Sequence, residues 1–236
     1  MSLIGAFLTS ETSDRDQASM WVSEVEDWIF NDNSFGDSKS KQTGENFQLI
    51  DMEIQLDALR AAYGLVLILN WEGSQEDKNR ARRIRFSQVI AAARSIEFSA
   101  ARHGQLSNYL CPSESLESWR LFIAREELIR TLIYVFMLDC AFIMFNNCAP
   151  RMAIFELQMH LACPEVCFQA STVETWLDCT AVWACSLIGQ RQPLLCEAIE
   201  ILTMAELSKQ YWQLLRQMSS LNYFAIASDA RHLMRD

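Results

Sequence analysis

The run from Leu128 to Phe145 is apolar except at Arg130, Thr131 and Asp139. A stretch of that length is either a membrane span or the buried core helix of a folded domain. The two ions decide between them. Each would cost roughly 2.5–3.5 kcal/mol at the centre of a bilayer. They stand nine residues apart, on roughly opposite sides of a helix that turns about 100° per residue, so they cannot neutralise one another. A soluble core helix is therefore expected. Ser113 is placed to cap it, with Glu114 and Glu117 at the positive end of its dipole. Asn146-Asn147-Cys148-Ala149-Pro150 gives it a polar stop.

Most of the remaining chain reads as helices with one apolar stripe each, and such stripes need a buried partner. Half the residues are hydrophobic, and only 7 Gly and 4 Pro are present, which argues against the many tight turns of a β-sandwich or barrel. The fold expected is all-α, a single helical domain packed around the long apolar central helix. Its parts divide into 1–45, an N-terminal helix and flexible polar loop, and 46–236, the helical domain proper. Residues 1–16 read as a loose lead-in. Residues 17–30 read as a helix with Trp21, Val25, Trp28 and Ile29 inward, and 31–45 as a polar loop. A helix over 46–71 carries Leu49, Met52, Leu56, Leu59 and Tyr63 on one face. Another spans 75–103 with Ile84, Val89, Ile90 and Ile96 as core, ending at His103-Gly104. Beyond the central helix, a short helix is expected over 153–160. One helix over 172–187 uses Val173, Trp176, Leu177, Val182 and Trp183. Another over 192–218 uses Leu195, Ile199, Ile201, Leu202, Leu207, Trp212 and Leu215. Residues 221–236 read as a short or frayed helix.

The formal charge is −10, unsuited to gripping nucleic-acid phosphates. One basic cluster, Lys78 to Arg85, reads as a charged helix face, with a nuclear-import or phosphate patch as the other reading. The cysteines sit mostly within apolar helical sequence, where a thiol behaves as a small hydrophobe. The N-terminus lacks the basic start of a signal peptide. Together these features indicate a reduced, intracellular protein.

Few residues are spaced for chemistry. His160, Cys163 and Cys167 approach a metal constellation but lack the tight pairs and fourth ligand of a structural zinc, so they read as a histidine beside core thiols. There is no Gly-x-Ser-x-Gly turn and no phosphate-cradling glycine loop. No catalytic residue, metal or cofactor is assigned. The candidates are instead Trp119, Glu126, Arg130 and Asp139, either a polar latch in the core or anchors lining a ligand pocket. Glu126 and Arg130 are four apart and can pair on one helix face. Asp139 needs a partner from another segment, because a lone buried carboxylate costs several kcal/mol or takes up a proton.

The order of residues along this stretch resembles the fungal-specific transcription factor domain, the helical middle homology region of many fungal zinc-cluster regulators. Trp119, Phe122-Ile123, Glu126, Arg130-Thr131, Leu138-Asp139, Pro150, Leu161, Cys163, Glu165 and Ala170 match its pattern in order. Ile129, Ala162 and Phe168 depart from it, standing where Arg, Pro and Trp are usual. The resemblance covers roughly 50–200. No zinc-cluster or two-Cys, two-His finger lies in these residues, so the chain is expected to be a fragment or a shortened relative that does not itself read DNA. The resemblance implies a nuclear regulatory module for a fungal gene set, such as one for secondary metabolism, with protein partners or a small apolar effector, and neither nucleic-acid nor membrane binding. The alternative is a repurposed helical scaffold, a cytoplasmic, cofactor-independent cyclase or pericyclase with a cavity for an apolar substrate.

Overall fold

The computed structural model describes Gly5, Phe7 and residues 11–31, 45–110, 115–204 and 208–229. Ser113 and Glu114, the polar loop beyond Asn31, Leu207, residues 230–236 and the side chains of Leu49 and Met52 lie outside the described residues. The architecture is all-helical. Among the described residues there is no strand, only an isolated antiparallel bridge between His160 and Leu194. The chain forms two compact units, Met1–Ile96 and Glu97–Asp236. The 45/46 division expected from composition falls at the start of the helix Glu45–Trp71, inside the first unit.

In the first unit, helix α1 (Thr12–Asn31) packs on α2 (Glu45–Trp71), which also packs on α4 (Phe86–Ser95). Residues 12–16, expected as lead-in, are already helical. Leu56, Leu59, Ala62, Leu65, Val66 and Leu69 bury the inner face of α2. Helix α3 (Gln75–Arg80) starts at a capping box, in which the Ser74 hydroxyl accepts from Asp77 N–H and the Asp77 carboxylate accepts from Ser74 N–H. A π turn, Ala81–Arg85, joins α3 to α4. Its extra residue advances the helix face, so Ile84, expected in the core, is 54% exposed, while Phe86, Val89, Ile90 and Ala93 are buried. The helix also ends earlier than expected, at Ser95, where Glu97 turns the chain with φ 64°.

The π turn has an electrostatic consequence. On an α-helix, residues five apart diverge by about 140°, but an i→i+5 ladder stacks them. Arg80 and Arg85 therefore reach the same carboxylate. Glu26 of α1, 2% exposed, accepts from Arg80 Nε and Nη2 at 2.8 Å each and from Arg85 Nε at 2.6 Å. Burial pushes the Glu26 carboxyl up, but the two guanidinium groups outweigh it and hold it below its ordinary range. Arg82 Nε donates to Asn70 Oδ1 at 2.6 Å. Three arginines of the basic cluster thus bond within their own unit.

This carboxylate also sets the rotation of α1. Trp21 and Trp28 lie about 140–160° around the helix from Glu26. They were expected in the core and are instead 57% and 68% exposed; Ala18, Ile29 and Phe30 take the buried positions.

In the second unit, α5 (Ser115–Asn146) is the long apolar helix. It is long and apolar enough to cross a membrane, yet 67% of its most apolar window is buried within the protein. It is buried continuously from Leu128 to Ile133, and Asn147, with φ 51°, ends it in the left-handed region. Against it pack the 3₁₀ turn Leu106–Leu110, α7 (Val173–Cys185) and α11 (Ser220–Asp229). Between these in sequence come α6 (Glu165–Phe168), α8 (Leu187–Arg191), α9 (Leu195–Thr203) and α10 (Lys209–Leu215). The single helix expected over 192–218 is therefore broken, and Trp212 is 53% exposed rather than core. Val182 likewise faces outward, whereas Trp176 and Trp183 are buried as expected.

Replacing Glu26 by Gln should cost about 3 kcal/mol, because it leaves Arg85 without its carboxylate, and Arg80 with Asp77 alone, around a buried position. Urea denaturation of the two proteins measures this; an unchanged midpoint would remove Glu26 as the clamp of the first unit.

Candidate functional site

The helix expected over 153–160 is a 3₁₀ turn, Ile154–Glu156, followed by an extended strap through the core. Leu157, Met159, Leu161, Ala162 and Cys163 are all 4% exposed or less. A buried extended backbone must find a partner for every N–H and C=O group, and four consecutive N–H groups find four different ones. His160 N–H donates to Ala101 O at 3.0 Å and Leu161 N–H to Pro193 O at 3.1 Å. Ala162 N–H donates to Asn222 Oδ1 at 2.9 Å, and Cys163 N–H to Glu126 Oε1 at 2.9 Å. The Asn222 side chain returns the bond, Nδ2 to Ala162 O at 2.9 Å, as a neighbouring strand would. These competing partners, supplied from distant positions, are why the local helical pattern fails.

Glu126 is the junction. Fully buried on α5, it accepts at Oε1 from Arg130 Nε (2.8 Å) and the Cys163 amide, and at Oε2 from His103 Nε2 (3.0 Å). A carboxylate only accepts, so His103 carries a proton on Nε2. Arg130 continues outward, with Nη1 donating to Glu165 Oε1 at 2.8 Å and Nη2 to Cys163 O at 3.2 Å. Its guanidinium lies 4.1 Å from the centroid of the Phe168 ring, a cation–π contact. Burial pushes the Glu126 carboxyl up, yet His103 and Arg130 together hold it below its ordinary range. For Arg130, burial lowers the pKa, but Glu126 and Glu165 raise it further.

His103, expected as a helix end, sits among aromatic rings. It stacks on Phe122 with centroids 4.6 Å apart and meets Tyr109 and Trp183 edge-on at 6.0 and 5.9 Å. Its backbone N–H donates to His160 Nδ1 at 3.1 Å. Burial, then His103 and Arg102, push the His160 pKa down to about 4, so the ring is neutral near pH 7. A hollow of about 10 Å³ lies beside the pair, lined in part by His103, His160, Trp183 and Gln192. That is room for roughly one water.

Of the residues singled out from sequence, Glu126 and Arg130 come together. Asp139 anchors a separate network about 20 Å along the helix. Its Oδ2 accepts from the amides of Arg151 and Met152 at 2.9 and 3.0 Å, and the Arg151 guanidinium stands 3.8 Å from Oδ1. It thus pins the chain that returns after α5. Trp119 joins neither network; it is half-buried, and its Nε1 has no hydrogen-bond partner among the described residues. Sequence reasoning missed His103, Asn222 and the role of Glu165 as the outer partner of Arg130. Glu165 alone left a signal, standing two residues after Cys163 in the matched pattern.

The arrangement ties together segments that are distant in sequence. Burial raises the Cys163 thiol well above its usual range and pushes Cys167 up to about 12, so neither is a thiolate at neutral pH. Among the described residues, no group of three or more His, Cys, Asp or Glu is placed to hold a metal.

A stretch of the transcription factor verF of Penicillium polonicum is 37% identical to this chain over 239 aligned residues. The alignment takes in 97% of this chain and 30% of that protein, so the chain spans under a third of its relative's length. No family model matches the chain, and no solved structure matches it.

Two measurements probe the site. His160 is harder to protonate folded than unfolded, so the unfolded chain binds more protons between pH 6.5 and about 4. Its contribution to stability is complete above pH 6.5 and is lost as the pH falls towards 4. His160→Asn, which keeps an acceptor near the Nδ1 position, should flatten melting temperature across that window. In a second experiment, iodoacetamide should modify exposed Cys185 in the native protein, while mass spectrometry finds Cys163 and Cys167 untouched until denaturant is added.

Proposed function

We propose that the chain is a regulatory module of a fungal transcription regulator, acting in the nucleus through protein partners rather than by holding DNA itself. The observation that carries this reading is its 37% identity, along almost its whole length, to part of a transcription factor. The assignment to the fungal-specific middle homology region is the finer step. It is supported by where the matched residues meet. Glu126, Arg130, Cys163 and Glu165, separated in sequence, share one hydrogen-bonded junction, and Phe168, standing where the pattern has Trp, supplies the aromatic face for Arg130. A pattern of residues that converge in space records a folding constraint, not a chance of composition.

Charge supports the division of labour. The net charge is −10, and Arg80, Arg82 and Arg85 bond to Glu26 and Asn70, which leaves the basic cluster ill-suited to a phosphate backbone. A fungal secondary-metabolite gene set is the target proposed, as the setting typical of the resembled family. The repurposed-enzyme reading draws no support from the hollow beside His103, about 10 Å³ against the roughly 300–1,000 Å³ of ordinary ligand sites.

The test is to tether the intact chain to a heterologous DNA-binding domain in a fungal host and read a reporter downstream of the cognate site. The expected result is a several-fold change in reporter transcript relative to the DNA-binding domain alone. Transcript equal to that control, with the fusion bound at the site, defeats the proposal.

A further inference from the structure

Helix α1 carries an apolar face that stays exposed among the described residues of its own unit. Met20 is 71% exposed, Trp21 57% and Trp28 68%. At about 100° per residue these three fall within roughly 100° of one side of the helix, with Glu24 among them and Asp27 flanking Met20. The buried side, Ala18, Glu26 and Ile29, is opposite. The two tryptophans are seven residues apart, so their rings are spaced about 10 Å along the axis. Two large rings and a methionine at these exposures present on the order of 400 Å² of apolar surface, comparable with the largest patch on an ordinary monomer, which is often functional.

The charge around this face states what can sit on it. Asp16, Glu24 and Asp27 are exposed. Among the described residues, the ion pairs of α1 are Arg15 with Glu72, and the buried Glu26 with Arg80 and Arg85. Arg15 is the one basic residue of α1 and lies a turn or more before Met20, already paired. The tryptophans are thus framed by carboxylates that no cation of their own helix balances. A second copy of the chain would bring the same sign against itself, and like charges across a contact disfavour it. A membrane surface rich in anionic lipid would repel the face for the same reason.

We infer that the Met20, Trp21 and Trp28 face of α1 docks in a protein groove with an apolar floor and a rim of Lys or Arg. The mode is an amphipathic helix in a groove, with anchors at i and i+7. The tryptophans supply the contact area, and Glu24 and Asp27 supply steering and choice of partner. The inference stands on this face alone and not on the regulatory reading above.

The probe is a dye-labelled synthetic amphipathic helix with a leucine stripe flanked by lysines. Its control carries glutamates in place of the lysines. Fluorescence anisotropy against the intact chain should show saturable binding of the lysine peptide that weakens with added salt, and no binding of the control. Trp21→Ala with Trp28→Ala should weaken binding about tenfold or more. Glu24→Lys with Asp27→Lys should reverse the preference, losing the lysine peptide and gaining the glutamate one. Both variants change exposed side chains only, and an unchanged circular-dichroism melt shows that they fold. Equal binding of the two peptides by the wild-type chain, or variants that bind as the wild type does, would overturn the inference. Binding to phosphatidylcholine vesicles containing phosphatidylserine in preference to the lysine peptide would overturn it too.

Discussion

A carboxylate held out of water dictates the arrangement of each unit. An isolated ion transferred to a protein interior costs several kcal/mol even after relaxation. Glu126 and Glu26 are both essentially fully buried, and each is tolerable only with its cations in place. The apolar surface of α5 or α2 supplies the larger driving force, but apolar contact is non-directional. It does not choose which face of a helix points inward or which loop crosses it. The ions make that choice. Glu126 fixes where Arg130, His103 and the Cys163 amide must lie, and Glu26 fixes the rotation of α1 against the π turn.

The large apolar features could be read directly from the residues. The run from Leu128 to Phe145 declared a core helix, and its two ions, nine residues apart, do serve separate networks. Glu126 and Arg130 could be paired from spacing alone because a helix repeats locally. What stayed hidden depended on residues remote in sequence. His103 looked like a helix end, since its partner is 23 positions away. Asn222 gave no sign that its amide would mimic a strand against Ala162, 60 positions earlier. The start of the strap, up to His160, read as helix, because helical periodicity does not register that a buried amide is claimed from elsewhere.

The errors over aromatic residues have a common origin. Trp21, Trp28 and Trp212 were placed inward on hydrophobicity, yet each is more than half exposed. In α1 the apolar stripe was wide enough to permit two rotations. The deciding residue was an acid, which a hydrophobic pattern counts as surface. The π turn is equally silent in sequence, and it displaced Ile84 from the core.

The strap bears on how the second unit comes apart. Its amides at 160–163 are shared among Ala101 ahead of the 3₁₀ turn Leu106–Leu110, the lead into α9, helix α11 and helix α5. No one of these can peel away without exposing a polar group of the same buried segment, so fraying at one margin is penalised at the others. Such wiring favours opening as a whole over opening in pieces, with the slowest amide exchange at the strap rather than within the long helix it crosses.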